Sequence, residues 1–141
     1  MRLREADVSL AVRRYLTTKG YLVVAEFPFL GRVVDIFGLR PTDDATVTIE
    51  CKESDWRKAS TQARVASMMS QSAYVAMPAR KVTNAALLCF QASGVGLLIV
   101  NDDSSVVNVL EPSADPIGVA ELHLAAKQRF LDLVELGYRS D

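Results

Sequence analysis

Between Arg32 and Lys52 the chain reads RVVDIFGLRPTDDATVTIECK, two runs of strand-forming residues separated by turn chemistry. Arg32–Leu39 and Thr46–Lys52 are rich in Val, Ile, Thr and Phe, while Pro41, Asp43 and Asp44 between them suit a tight connection. In TVTIECK the alternation is strict. It sends Val47, Ile49 and Cys51 to one face and Thr46, Thr48, Glu50 and Lys52 to the other. Taken alone, this is also the pattern of a strand with one wet face. Asp35 changes the weighing, because it interrupts the apolar run Val33, Val34, Ile36, Phe37, where a charge is costly unless paired or bound to metal. If Arg40 and Ala45 pair across the turn, antiparallel register sets Asp35 opposite Glu50 and Lys52 opposite Val33. Directly opposed residues have Cβ atoms about 4.5–5.5 Å apart, and two carboxylates that close repel unless a cation sits between them. Oxygen ligands with room for waters suit Mg²⁺ or Mn²⁺ better than Zn²⁺, which prefers Cys and His. A lysine beside them can position a water or stabilise developing phosphoryl charge.

Outward from this stretch the chain alternates. Leu3, Val8, Ala11, Val12, Tyr15 and Leu16 predict an amphipathic helix over Leu3–Thr18, stopped near Gly20, and Tyr21–Phe29 predicts a strand turning at Gly31. Three strands then form a meander. Ser54 or Asp55 can cap a helix from about Trp56 to Ser70, followed by a buried strand at Ser72–Pro78. A helix over Thr83–Ala92, a strand over Val95–Asp102 and an edge strand over Val106–Leu110 continue the pattern, which implies parallel pairing in that half. A last helix is expected over about 116–138, with Leu122, Leu124, Phe130 and Leu131 free to pack on the sheet or on a partner.

Val34–Asp35 followed by Glu50–Cys51–Lys52, in this order of elements, resembles the PD-(D/E)XK nuclease superfamily, in particular Holliday-junction resolvases and Mrr-like restriction enzymes. The resemblance covers roughly residues 1–100, and it departs from the family pattern in having Val34 where a proline often precedes the Asp. It implies an α/β, restriction-endonuclease-like fold: a mixed central sheet flanked by helices, with a core of about 1–112 and a C-terminal helix in a single domain of 1–141. It further implies that Asp35 and Glu50 bind Mg²⁺ or Mn²⁺ and that Lys52 assists the attacking water. A first-helix acid would complete the metal site, with Glu5 matching best and Asp7 or Glu26 as alternates. Gln62 matches a glutamine found on the helix after the lysine. An acid in a first helical turn also serves the helix dipole, and a helix Gln also serves solvent.

A chain of 141 residues, half apolar and 23% charged, has the size and composition of one soluble domain. Its N-terminus MRLREADVSL is charged where a secretory signal needs an apolar run, so the cytoplasm is the expected compartment. Cys51 and Cys89 are too few for a disulfide framework and read as buried thiols. The net charge of −1 conceals a basic excess in residues 1–81 and an acidic one in 82–141. Arg57, Lys58 and Arg64 are the candidate phosphate contacts, with Arg80 and Lys81 nearby in sequence. His123 reads as a packing or surface residue.

The expectation is therefore a metal-dependent endonuclease acting on DNA, with a homodimer favoured by the need to cut two strands. Two alternatives stand beside it: a non-catalytic nucleic-acid-binding or assembly module that keeps the fold, and a structural subunit whose last helix forms a dimer seam.

Overall fold

The structure is a computed structural model that describes residues 2–113 and 120–138. Its elements run α1 (Glu5–Thr18), β1 (Leu22–Phe29), β2 (Arg32–Arg40), β3 (Ala45–Cys51), α2 (Trp56–Ala66), β4 (Ser72–Pro78), a 3₁₀ turn at Ala79–Lys81, α3 (Asn84–Ser93), β5 (Gly96–Val100), β6 (Val106–Leu110) and α4 (Ala120–Glu135). The six strands form one mixed sheet in sequence order. β1, β2 and β3 pair antiparallel, β3, β4 and β5 pair parallel through helical crossovers, and β6 returns antiparallel on β5. The expected mixed α/β sheet with flanking helices and a C-terminal helix is thus present. Residues 116–119 of the expected last helix lie outside the described residues. No described helix is long and apolar enough to cross a membrane.

The period-two alternation of the strands divides the core between the two faces of the sheet. Val23, Ile36, Val47, Ile49, Ala76 and Leu98 face one way, onto Val8, Val12 and Leu16 of α1. Val24, Phe27 and Phe37 face the other way, onto Ala126, Phe130 and Leu133 of α4. On that second side Val75, Met77 and Leu97 meet Ala59 and Ala63 of α2 and Ala86 and Phe90 of α3. The small residues of α2 let it lie close to the sheet. Both faces of β3 are therefore covered, and its polar face is dry rather than wet: Thr46, Thr48 and Glu50 are buried. The threonines are satisfied by the segment entering β4, because Gln71 N–H donates to Thr46 Oγ1 at 3.0 Å and the Thr48 and Ser70 hydroxyls bond at 2.8 Å.

Two boundaries are tighter than periodicity predicts. α2 stops at Ala66, and the following serines are spent on turns and on the Thr48 bond. β5 stops at Val100, because Asn101 and Ser105 close a turn in which Asp103 accepts from the Ser105 N–H at 2.9 Å.

Candidate active site

The ladder between β2 and β3 runs from Arg40↔Ala45 to Ile36↔Ile49, the register expected from the turn. It stops one step short of Asp35 and Glu50. Their expected direct opposition is thus replaced by another arrangement: Asp35 Oδ2 accepts the Cys51 N–H at 2.8 Å, so the carboxylate stands in for a ladder carbonyl. A local irregularity makes room for this. Glu26, the residue of β1 that register would place opposite Asp35, has φ of 53°, and the alternation slips there. Val24 and Phe27 both join the α4 side, as do Val34 and Phe37, although each pair is three residues apart. A non-glycine residue in left-handed conformation costs on the order of 1–3 kcal/mol, and such strain collects at functional sites.

Glu50 is 4% exposed and hydrogen-bonded to Asp35. Burial, then the charge of Asp35 and the bond to it, push the Glu50 carboxyl up to about 8, while Lys52 and Arg32 pull the other way. Near neutral pH Glu50 therefore keeps its proton, which a cation would displace. Burial, with the nearby acids adding to it, also pushes the Cys51 thiol well up, so Cys51 is an inert core residue, as its sequence context suggests.

Lys52 continues along β4 rather than β2. Its N–H donates to Ala76 O at 3.0 Å, and its ammonium lies 3.7 Å from Glu5 Oε1. The expected position opposite Val33 is not found, since the β2–β3 ladder ends at Ile36↔Ile49. Glu5 is thus turned to the lysine, and Asp7 caps α1 by accepting the Arg4 N–H at 2.8 Å. Glu5, Glu26 and Asp35 line one open cleft of about 540 Å³ together with Ser9 and Arg13. Ser9 and Arg13 were not singled out from sequence. The signal was there, because Glu5, Ser9 and Arg13 recur every fourth residue and so share one flank of α1.

Among the described residues no three His, Cys, Asp or Glu side chains gather as a metal cluster. The acids that could hold an ion here reduce to the pair Asp35 and Glu50, with Glu5 nearby but engaged by Lys52. Two carboxylates with waters and a substrate phosphate completing the shell is a usual arrangement for Mg²⁺, so the residues fit that ion or Mn²⁺, and not zinc.

The remaining candidates are spread along α2. Gln62 has a buried Oε1 without a hydrogen-bond partner among the described residues. The Arg57 guanidinium stacks 4.4 Å over the Trp56 ring, and Lys58 is exposed in the first turn. Arg64 lies about two turns further on and donates to Ser93 O at 3.2 Å, which ties it to α3 rather than to the acids.

No protein-family model and no curated protein matches this chain. Among solved structures it is similar to the SPO1766 protein of unknown function from Silicibacter pomeroyi, with a TM-score of 0.73 and 23% identity over 97% of this chain and 90% of that one. That likeness shows the fold.

Proposed function

We propose that the chain is a metal-dependent endonuclease of the PD-(D/E)XK type that hydrolyses phosphodiester bonds in DNA. The observation that carries this reading is Glu50, buried at the end of β3 and hydrogen-bonded to the half-buried Asp35 of β2, beside both Lys52 and an open cleft. Two carboxyls forced together where one must stay protonated form a site that gains from a divalent cation. The order of elements supports the finer family likeness: a helix, an antiparallel meander carrying the acids, then a helix and a parallel strand.

Asp35 and Glu50 would hold Mg²⁺ or Mn²⁺, which polarises a phosphate and lowers the pKa of water. The chain's own residues supply the rest. Asp35 is fixed by the Cys51 N–H, so its second oxygen is aimed without cost at the moment of reaction. Lys52 brings a positive charge to the place where phosphoryl charge grows, once it exchanges Glu5 for substrate. Gln62, with its unpaired buried oxygen, is the candidate acceptor for a water or a substrate hydroxyl. Arg57 and Lys58 are candidates for holding flanking phosphates. A two-fold dimer would present two such sites to two strands, and the exposed Leu124 and Leu131, seven residues apart on α4, offer an apolar stripe for it.

The test is cleavage of linear, nicked, single-stranded and branched DNA by the purified chain with Mg²⁺ or Mn²⁺. Activity lost in Asp35→Asn and Glu50→Gln supports the reading; equal activity in these variants and the wild type ends it.

A second reading, a nucleic-acid-binding module without turnover, is favoured by one contact: the Glu5–Lys52 pair occupies both the lysine and the third acid. It predicts DNA binding with no cleavage under any metal.

A further inference from the structure

A second cleft, of about 310 Å³, opens beyond the carboxyl ends of β4 and β5. It is lined by Arg2, Leu3, Pro78, Arg80, Lys81 and Asp102, so three of its four charged groups are cations. The fold gathers them from three places. Arg2 precedes α1, Arg80 and Lys81 form the 3₁₀ turn after β4, and Asp102 follows β5. In parallel sheets the crevice outside the carboxyl ends of the strands is the usual place for a ligand.

The ion pairs in this cleft leave its positive character available. Arg80 is paired with Asp102 and Arg2 with Glu53, but both arginines are largely exposed, and exposed pairs are weak and easily exchanged. Lys81 has no ion-pair partner among the described residues. A phosphate oxygen pair matches a guanidinium fork better than a single carboxylate oxygen does.

The cleft lies further along the sheet than the Asp35–Glu50 pair, in the direction in which β3 and β4 run. Glu53, which holds Arg2, is next to Lys52 in sequence, and the Lys52 N–H bonds to Ala76 O, two residues before Pro78. Glu50 itself pairs with Val75, so at roughly 3.3 Å per strand residue the Pro78 wall begins about 10 Å further along β4 from that acid.

We propose that this cleft binds a backbone phosphate of the DNA strand engaged at the acidic pair, with Arg80 and Lys81 as its ligands and Asp102 as the acid they exchange for it. The inference rests on the DNA reading above and goes beyond it by locating the flanking phosphate at the 3₁₀ turn rather than along α2. The contact positions the strand and carries no base information.

The experiment measures binding of the full chain to labelled duplex and single-stranded DNA in Ca²⁺ over a range of salt, with thermal melting as the check on folding. Three variants are compared: Arg80→Ala/Lys81→Ala, Asp102→Asn, and Lys19→Ala as an exposed cation just past the far end of α1, away from the cleft. Loss of two contacts should flatten the plot of log affinity against log salt by about two units, at ~0.9 per contact. Asp102→Asn should bind more tightly than wild type, a change of sign that general damage to the fold does not give. Lys19→Ala should match wild type. Wild-type affinity and slope in both cleft variants overturns the proposal, as does absence of any DNA binding by the wild type. So does an effect seen only with 5′-phosphorylated strands or abolished by inorganic phosphate alone, since the ligand is then a terminal or free phosphate. Cleavage is scored separately. DNA cut by the wild type with binding unchanged in Arg80→Ala/Lys81→Ala removes the cleft and keeps the nuclease. Binding that depends on the cleft without any cutting keeps the cleft and removes the nuclease.

Discussion

The carboxyl of Glu50 is hydrogen-bonded to Asp35 in a dry position at the end of β3, and burial with the charge of Asp35 lifts it to about 8. The linkage has a definite sign. A carboxyl whose folded pKa lies above its ordinary value near 4.5 gives the folded state extra protons between those values. Stability therefore falls as pH rises through that window, and the loss is complete once Glu50 ionises. Metal-free protein should melt several degrees lower at pH 9 than at pH 5 through this group. Mn²⁺ should recover most of that loss, and Glu50→Gln should flatten the dependence. Melting curves across pH with and without Mn²⁺ check it; a slope that is the same in Glu50→Gln assigns the effect to other groups.

Asp35 has a structural duty as well as a chemical one, and two substitutions separate them. Asp35→Ala removes the acceptor of the Cys51 N–H and leaves a buried donor unpaired, which costs about 1–3 kcal/mol. Asp35→Asn keeps an acceptor oxygen and loses only the charge. The alanine variant should be clearly less stable in urea than the asparagine variant, while both lose DNA cleavage by roughly 100-fold or more if the carboxylate is required. Asparagine activity near wild type means that the charge is not used.

Glu5 faces Lys52 at 3.7 Å, and this contact makes a prediction opposite to a ligand role. Removing an acid that binds the ion weakens affinity, commonly by about 10–100-fold even for outer groups. Removing one that only pairs with the lysine leaves affinity almost unchanged. Glu5→Gln should therefore keep Mn²⁺ affinity within about two-fold of wild type, whereas Asp35→Asn reduces it at least ten-fold. Electron paramagnetic resonance titration of Mn²⁺ reads both values, and equal losses would make Glu5 a third ligand.

Much of this arrangement is written in the sequence, and the parts that are not have physical reasons. Turn residues between Arg40 and Ala45 set the β2–β3 register, which the structure keeps through Ile36↔Ile49. Alternation assigned Val47, Ile49 and Cys51 to one face, and all three lie in the α1 cluster. Alternation failed at Asp35, because the left-handed Glu26 shifts the phase of β1 and β2, and nothing in a glutamate marks that conformation. It also could not show that the Thr46–Glu50 face is dry, since what covers that face is the α2–β4 segment, distant in sequence. The partner of Lys52 was hidden for a similar reason. Glu5 reaches it only because α1 crosses the sheet, a placement set by Val8, Val12 and Leu16. The cleft cations Arg2, Arg80 and Lys81 come together only when the segment before α1 meets the 3₁₀ turn at one end of the sheet.

α4 gives a test of how the sheet under the acidic pair is held. Phe130 is fully buried against Phe37 and Phe27, with ring centroids at 5.3 and 6.4 Å, and Phe37 lies on β2 two residues from Asp35. Phe130→Ala removes this contact and leaves a void, a change that costs about 3–5 kcal/mol. Phe130→Leu keeps most of the volume and should cost far less. The two variants should therefore differ clearly in urea midpoint. Because Phe37 and Asp35 share a strand whose phase is already irregular at Asp35, the alanine variant should also bind Mn²⁺ more weakly under conditions where it remains folded. Loss of stability with unchanged Mn²⁺ affinity would show that the acids are positioned by the β3 backbone and the Cys51 N–H alone, independently of the helix on the other face.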